Sequence, residues 1–272
     1  MKRVLLSLLL ICASAQAPLL AKDASPHQAL DTPSEVRPWQ AVGRLDLGRS
    51  GFCTGAMISK RLVLTAAHCV YDKRSGKLRD ATEITFRAGY RKGRSAAIRT
   101  GKRFAVHPEY VYGGGKSSYS EIARDVAVIE LDRPINDAAI QPFRTHRKPA
   151  RNDRVMVVSY ARGRSDAPSL EDGCQMTHAA ADVLHYTCDI DFGSSGAPVF
   201  VMTHQGPQIA SVMSSGGKRG SRDVALGVPM GPAVDRLVRE LQTSGARSKF
   251  IRVQGAGRGA RVVTTRLPQI TN

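Results

Sequence analysis

What most constrains the fold of this chain is a series of short apolar or alternating runs: Met57 to Thr65, Ile84 to Ala88, Val126 to Leu131, Val155 to Ser159, Val199 to Met202 and Ile209 to Met213. Most are rich in Val and Ile, whose branched side chains suit a pleated, half-buried surface better than a helix. Turn chemistry separates them, as in Arg91-Lys92-Gly93-Arg94-Ser95 and Gly113-Gly114-Gly115-Lys116-Ser117-Ser118. The second stretch lacks the spacing and the strand-to-helix setting of a phosphate loop, so it reads as a surface loop. One long helix is expected, from Pro232 to Gln242, where Val234, Leu237, Val238 and Leu241 share a face and Asp235 sits favourably in the first turn. The chain is therefore expected to be mostly β, and it shows no internal repeat.

Three segments carry residue types that can act together: Leu64-Thr65-Ala66-Ala67-His68-Cys69, then Arg124-Asp125-Val126-Ala127-Val128-Ile129, then Asp191-Phe192-Gly193-Ser194-Ser195-Gly196-Ala197-Pro198-Val199-Phe200. A serine hydroxyl is a weak nucleophile at neutral pH and needs an imidazole to take its proton and later return it. A carboxylate behind the imidazole fixes its tautomer and stabilises the imidazolium. Glycines around the serine let the backbone turn tightly enough to aim N–H groups at a developing oxyanion. Each segment alone is weakly informative; their joint occurrence in the order His, Asp, Ser is not.

Together with Phe52-Cys53-Thr54-Gly55-Ala56-Met57-Ile58, these segments resemble the chymotrypsin-like serine proteases from about Val42 to about Leu241. The resemblance implies two antiparallel Greek-key six-stranded β-barrels with the site in the cleft between them, and a C-terminal helix packed on the second barrel. It implies His68, Asp125 and Ser195 as the catalytic residues, with the backbone N–H groups of Gly193 and Ser195 forming the oxyanion hole. His68 and Asp125 would come from the first barrel and Ser195 from the second. The implied division is 39–134 for the first barrel, 135–230 for the second, 231–242 for the helix and 243–272 for a basic tail. Two features depart from the pancreatic enzymes: there is no Ile-Val-Gly-Gly-like start, and Ser194 stands where those enzymes carry an aspartate that pairs with a newly freed N-terminus. The chain is thus more similar to the secreted bacterial branch that includes glutamyl endopeptidases, and no such activation switch is expected.

For the substrate pocket the resemblance places Asp189 at the base, which would favour cleavage after Lys or Arg. Ser214, Ser215 and Gly216 would form the edge that pairs with substrate backbone. Ile190 and Met213 lack the hydroxyl and imidazole that glutamate-specific relatives use at matching positions, which disfavours acidic specificity.

The N-terminal run and the cysteines lead us to expect an exported chain. Residues 1–17 carry the Lys2-Arg3 charges, an apolar run from Val4 to Ile11 and the small residues Ala13, Ala15 and Ala17 of a secretory signal. The apolar run is too short to span a bilayer, and residues 18–38 would be an N-terminal segment or short propeptide. With Cys12 leaving in the signal, Cys53, Cys69, Cys174 and Cys188 remain, an even count that reads as two disulfides with three pairings open. Proximity in sequence, and the family's disulfide across the histidine loop, favour Cys53 with Cys69 and Cys174 with Cys188. Zinc binding by Cys53, His68 and Cys69 lacks a second close Cys/His pair, so no metal or other cofactor is expected.

The formal charge of +17 suits attraction to anionic surfaces. After Glu240 there is no acidic residue, while Arg247, Lys249, Arg252, Arg258, Arg261 and Arg266 follow. This tail has no nucleic-acid motif beyond charge. The expected protein is a secreted or periplasmic monomeric serine endopeptidase acting on proteins or peptides. The alternative is a non-catalytic protein of the same fold that binds anionic envelope or polyanions through its basic surface.

Overall fold

A computed structural model describes residues 27–114, 118–146, 149–219 and 222–243. The proposed signal segment and the basic tail lie outside the described residues. After β1 (Gln28–Ala29) and the single-turn helix α1 (Pro33–Val36), β2 (Val42–Leu47), β3 (Phe52–Met57), β4 (Leu62–Thr65), β5 (Ile84–Ala88), β6 (Ala97–Val106) and β7 (Ala127–Leu131) form a closed antiparallel barrel in the order β2-β3-β4-β7-β6-β5. Alternation drives it: in β5, Ile84, Phe86 and Ala88 are buried while Thr85 and Arg87 are half-buried. The short helix α2 (Tyr119–Ile122) lies in the β6–β7 connection.

The second half contains β8 (Arg154–Ala161), β9 (Arg164–Ala180), β10 (Val183–Tyr186), β11 (Pro198–Thr203), β12 (Gly206–Arg219) and β13 (Arg222–Pro229), ordered β9-β10-β13-β12-β11-β8. The 17-residue β9 also pairs with β8, which closes the ring of pairings, and it takes β1 as an added strand. Residues ahead of Trp39 are therefore woven into the second half: Leu30 and Val36 are buried, and Leu30 donates its N–H to the Pro168 carbonyl.

The halves meet at an aromatic cluster. Trp39 from the N-terminal segment, Phe143 from the connection between the halves and Phe200 from β11 have ring centroids 4.6 to 6.2 Å apart. Such contacts add to the burial of large apolar area. The final helix, α3 (Pro232–Thr243), buries Val234, Leu237 and Leu241 as its periodicity requires. It packs against β6 and β7, so it closes on the first barrel and not on the second as the resemblance implied. One cause is visible: Arg103 of β6 reaches across to donate to the Leu241 carbonyl at the helix end, at 2.5 Å. Both expected disulfides are present, Cys53–Cys69 and Cys174–Cys188.

Candidate active site

His68 sits in a single 3-10 turn, Ala67–Val70, immediately after β4. The Cys53–Cys69 disulfide ties this turn to β3. Asp125 lies between α2 and β7 and is only 3% exposed. Its carboxylate has three donors: the His68 backbone N–H at 2.8 Å, His68 Nδ1 at 2.7 Å and the Ser214 hydroxyl at 2.5 Å. A carboxylate only accepts, so Nδ1 carries the proton and Nε2 is left as an acceptor. Ser214 comes from β12, so the carboxylate is held from both halves of the molecule.

Ser195 lies in the turn before β11, and its backbone carbonyl is fixed by the Thr54 N–H at 2.8 Å. Two glycines make that turn possible. At Gly196 (φ +78°) a Cβ would fall 2.1 Å from Thr65 Oγ1 and 2.3 Å from the Thr54 carbonyl; at Gly193 (φ +101°) it would fall 2.2 Å from Phe52 Cε2. The Phe192 carbonyl accepts from the Arg162 N–H. In a trans peptide the next N–H, that of Gly193, points the opposite way. Among the described residues neither the Gly193 nor the Ser195 N–H has a protein acceptor.

His68 and Ser195 line one cleft between the halves, a cavity of about 470 Å³ that also borders Ile190, Met213, Ser214 and Gly216. His68 and Ser195 make no side-chain hydrogen bond to each other among the described residues; such bonds often tighten only when substrate is bound. The Tyr119 hydroxyl of α2 meets His185 Nε2 of β10 at 2.6 Å, clasping the Asp125 connection to the second half. A zinc site at Cys53, His68 and Cys69 has no thiolates to offer, since both sulfurs are in the disulfide.

Asp189 is a correction. It does not reach the cleft: its side chain is 74% exposed and faces His27 Nε2 at 3.4 Å. The reason is a buried group that sequence reasoning missed. Glu171 of β9, 1% exposed, accepts the Asp189 N–H on both carboxylate oxygens at 3.0 Å, which turns the Asp189 backbone inward and its side chain out. Burial, only partly offset by that hydrogen bond, pushes the Glu171 carboxyl up to about 7. Burial likewise lowers His27 below the ordinary histidine value. Nothing in the local run Ser169-Leu170-Glu171-Asp172 marks this acid as interior.

Thr54 is a second residue whose role was not seen, although it lies in a quoted motif. Fully buried, it donates its hydroxyl to the Gly193 carbonyl at 2.8 Å and accepts the Tyr160 N–H at 3.0 Å, joining the first barrel to the nucleophile turn. Ser194, 1% exposed, contacts Ser159 Oγ at 3.4 Å, and Arg164 donates to Ser159 Oγ at 3.2 Å and to Ser169 Oγ. A half-buried guanidinium thus serves the region behind the nucleophile.

Comparison with known proteins gives a consistent result. The Trypsin family model matches residues 29–231. The "Serine protease grass" of Drosophila melanogaster is 36% identical over 125 residues, 42% of this chain and 30% of that protein. The glutamyl endopeptidase of Bacillus licheniformis is 26% identical over 189 residues, 68% of this chain and 57% of that protein. The chain therefore spans less than two thirds of the length of these curated relatives. Among solved structures, a Glu endopeptidase in complex with MPD has a TM-score of 0.66 at 19% identity, covering 82% of this chain and 98% of its own. The protease Anisep from Arthrobacter nicotinovorans has a TM-score of 0.61 at 17% identity, covering 80% and 99%. Those two likenesses show the fold.

Proposed function

The chain belongs to the trypsin family of serine proteases, and on that premise we propose that it is an exported serine endopeptidase working through Ser195, His68 and Asp125. The observation that carries the reading is the Asp125 carboxylate, buried and engaged by His68 Nδ1 at 2.7 Å, at the edge of a cleft that His68 shares with Ser195. Export is supported by the two disulfides, which persist in oxidising compartments. No helix among the described residues is long and apolar enough to cross a membrane.

Substrate backbone would pair with the Ser214–Gly216 edge, bringing the scissile carbonyl to Ser195 Oγ. The hydroxyl oxygen adds to the carbonyl carbon as its proton passes to His68 Nε2, and Asp125 stabilises the imidazolium. Charge that develops on the carbonyl oxygen meets the Gly193 and Ser195 N–H groups, which have no acceptor of their own among the described residues. Collapse expels the amine, which takes the proton from Nε2 and leaves an acyl-Ser195 ester. Water then repeats the sequence with His68 as base, releasing the acid and restoring the serine. Because residues ahead of Trp39 already form part of the fold, a protein with extra residues before Trp39 is expected to be active.

The test is hydrolysis of denatured casein together with mass spectrometry after treatment with a fluorophosphonate. Hydrolysis that disappears in Ser195→Ala, with a single adduct mapped to Ser195, supports the reading. Neither hydrolysis nor adduct in a folded protein would move it to the non-catalytic alternative.

A further inference from the structure

We propose that the cleft selects an apolar side chain at P1, the residue before the scissile bond, and that Ile190 and Met213 determine this choice. The inference rests on Ser195 being the nucleophile.

Both residues line the cavity beside Ser195, and Met213 is otherwise enclosed by the second core. Phe192, 65% exposed with the Arg162 guanidinium 4.5 Å from its ring centroid, adds an apolar rim. The acids that could rewrite this preference are engaged or elsewhere. Asp189 faces His27 outside the cleft. Glu171 is sealed behind the wall, holding the Asp189 N–H. Of the acids that do line the cleft, Asp191 accepts from its neighbour Phe192 N–H at 2.6 Å and from Arg162 at 3.0 Å. Glu121 accepts from the Ser118 N–H at 2.6 Å. Lys73, which follows the His68 turn in the first barrel, lines the same cleft.

A Lys or Arg side chain entering against Ile190 and Met213 would lose hydration without gaining a free carboxylate, and a Glu side chain there would meet no charge on either residue. Ser214 cannot help, since its hydroxyl is given to Asp125. The Ser215 hydroxyl has no partner among the described residues, and a neutral hydroxyl does not compensate a buried charge. An apolar side chain has none of these costs and gains the burial.

The experiment measures kcat/KM for tetrapeptide amides that differ only at P1, carrying Leu, Phe, Lys or Glu, with fluorophosphonate labelling of Ser195 as an independent readout. The expected result is labelling with Leu or Phe ahead of Lys and Glu by about tenfold or more. Ile190→Asp should raise Lys relative to Leu by about tenfold or more, and Met213→Ala should move preference toward the larger Phe. Labelling with Lys or Glu preferred by the wild-type protein overturns the proposal and leaves the protease reading standing. Absence of labelling in folded protein removes both. Variants that label Ser195 at the wild-type rate yet leave the P1 order unchanged overturn the roles of Ile190 and Met213.

Discussion

Asp125 and Glu171 are both buried acids, one behind His68 in the first barrel and one holding the backbone next to Ile190 in the second half, and they are satisfied in opposite ways. Asp125 takes three hydrogen bonds from His68 and Ser214, two of them from side chains that the proposed chemistry uses. Glu171 takes one backbone N–H shared between its two oxygens and has no cation within ion-pair distance among the described residues. Arg164 acts on it only from farther off, and Asp189 and His27 stand on its outer side. A charge held by several fixed donors costs the fold little and can be used repeatedly; a charge held by one donor in an apolar setting is better kept protonated. The first barrel thus presents a preset charge, and the second presents a wall whose shape depends on one backbone contact.

Replacing the well-held acid should have the largest effect. Asp125→Asn keeps the volume but puts an amide where His68 needs an acceptor, favouring the wrong tautomer. A fall in kcat on the order of 10⁴ is expected, with little change in Tm. Stopped-assay kinetics beside a thermal melt separate the two, and a loss of tenfold or less would mean that the Asp125 contacts do not orient the base.

Thr54→Val attacks the link between the two regions. Valine matches the threonine shape but leaves the Gly193 carbonyl and the Tyr160 N–H unpaired inside the protein. The expected cost is about 2–4 kcal/mol of stability, read by urea denaturation. Turnover should fall about tenfold through a loosened Gly193 N–H, while KM changes less. Lost stability with unchanged turnover would show that Thr54 braces the barrels without setting the oxyanion donors.

Much of this contrast could be read from sequence on one side only. The His68 and Ser195 segments carry their chemistry locally, because a tight turn demands Gly193 and Gly196 and an apolar strand flanks each. The strand runs likewise announce themselves through Val and Ile. Glu171 and Asp189 do not: an acid in a polar stretch gives no sign that a long strand will carry it inward. Counting back from Ser195 to Asp189 assumes a loop path that the Glu171 contact redirects. The seat of α3 was hidden for a similar reason, since periodicity shows which face is buried and not what covers it.

The poorly held acid should reveal itself through pH. The Glu171 carboxyl is raised to about 7 in the folded protein from an ordinary value of 4.5, so between these limits the folded state holds a proton that the unfolded chain has released. Its contribution to stability is present below about pH 4.5 and is lost as pH rises through about 7. His27, lowered by burial, acts in the reverse sense, with stability lost as pH falls below its ordinary 6.5. Comparing Glu171→Gln with the parent isolates the first effect. The variant should gain on the order of 2 kcal/mol relative to the parent between pH 5 and 8. A constant difference in Tm across that range would show that Glu171 does not titrate there.

The smallest effect belongs to the residue that sequence placed at the pocket base. With its side chain 74% exposed and His27 at 3.4 Å as its ion-pair partner among the described residues, Asp189 contributes at the level of a surface pair. Asp189→Asn should therefore change stability by less than about 0.5 kcal/mol and leave the P1 preference as it was, because the backbone N–H that engages Glu171 is untouched. A pocket carboxylate would behave differently: its loss would lower cleavage after Lys and Arg selectively, with no matching change in Tm. Measuring kcat/KM on the Leu and Lys substrates for this one variant therefore decides whether the second-barrel wall is shaped by the Asp189 side chain or by the contact behind it.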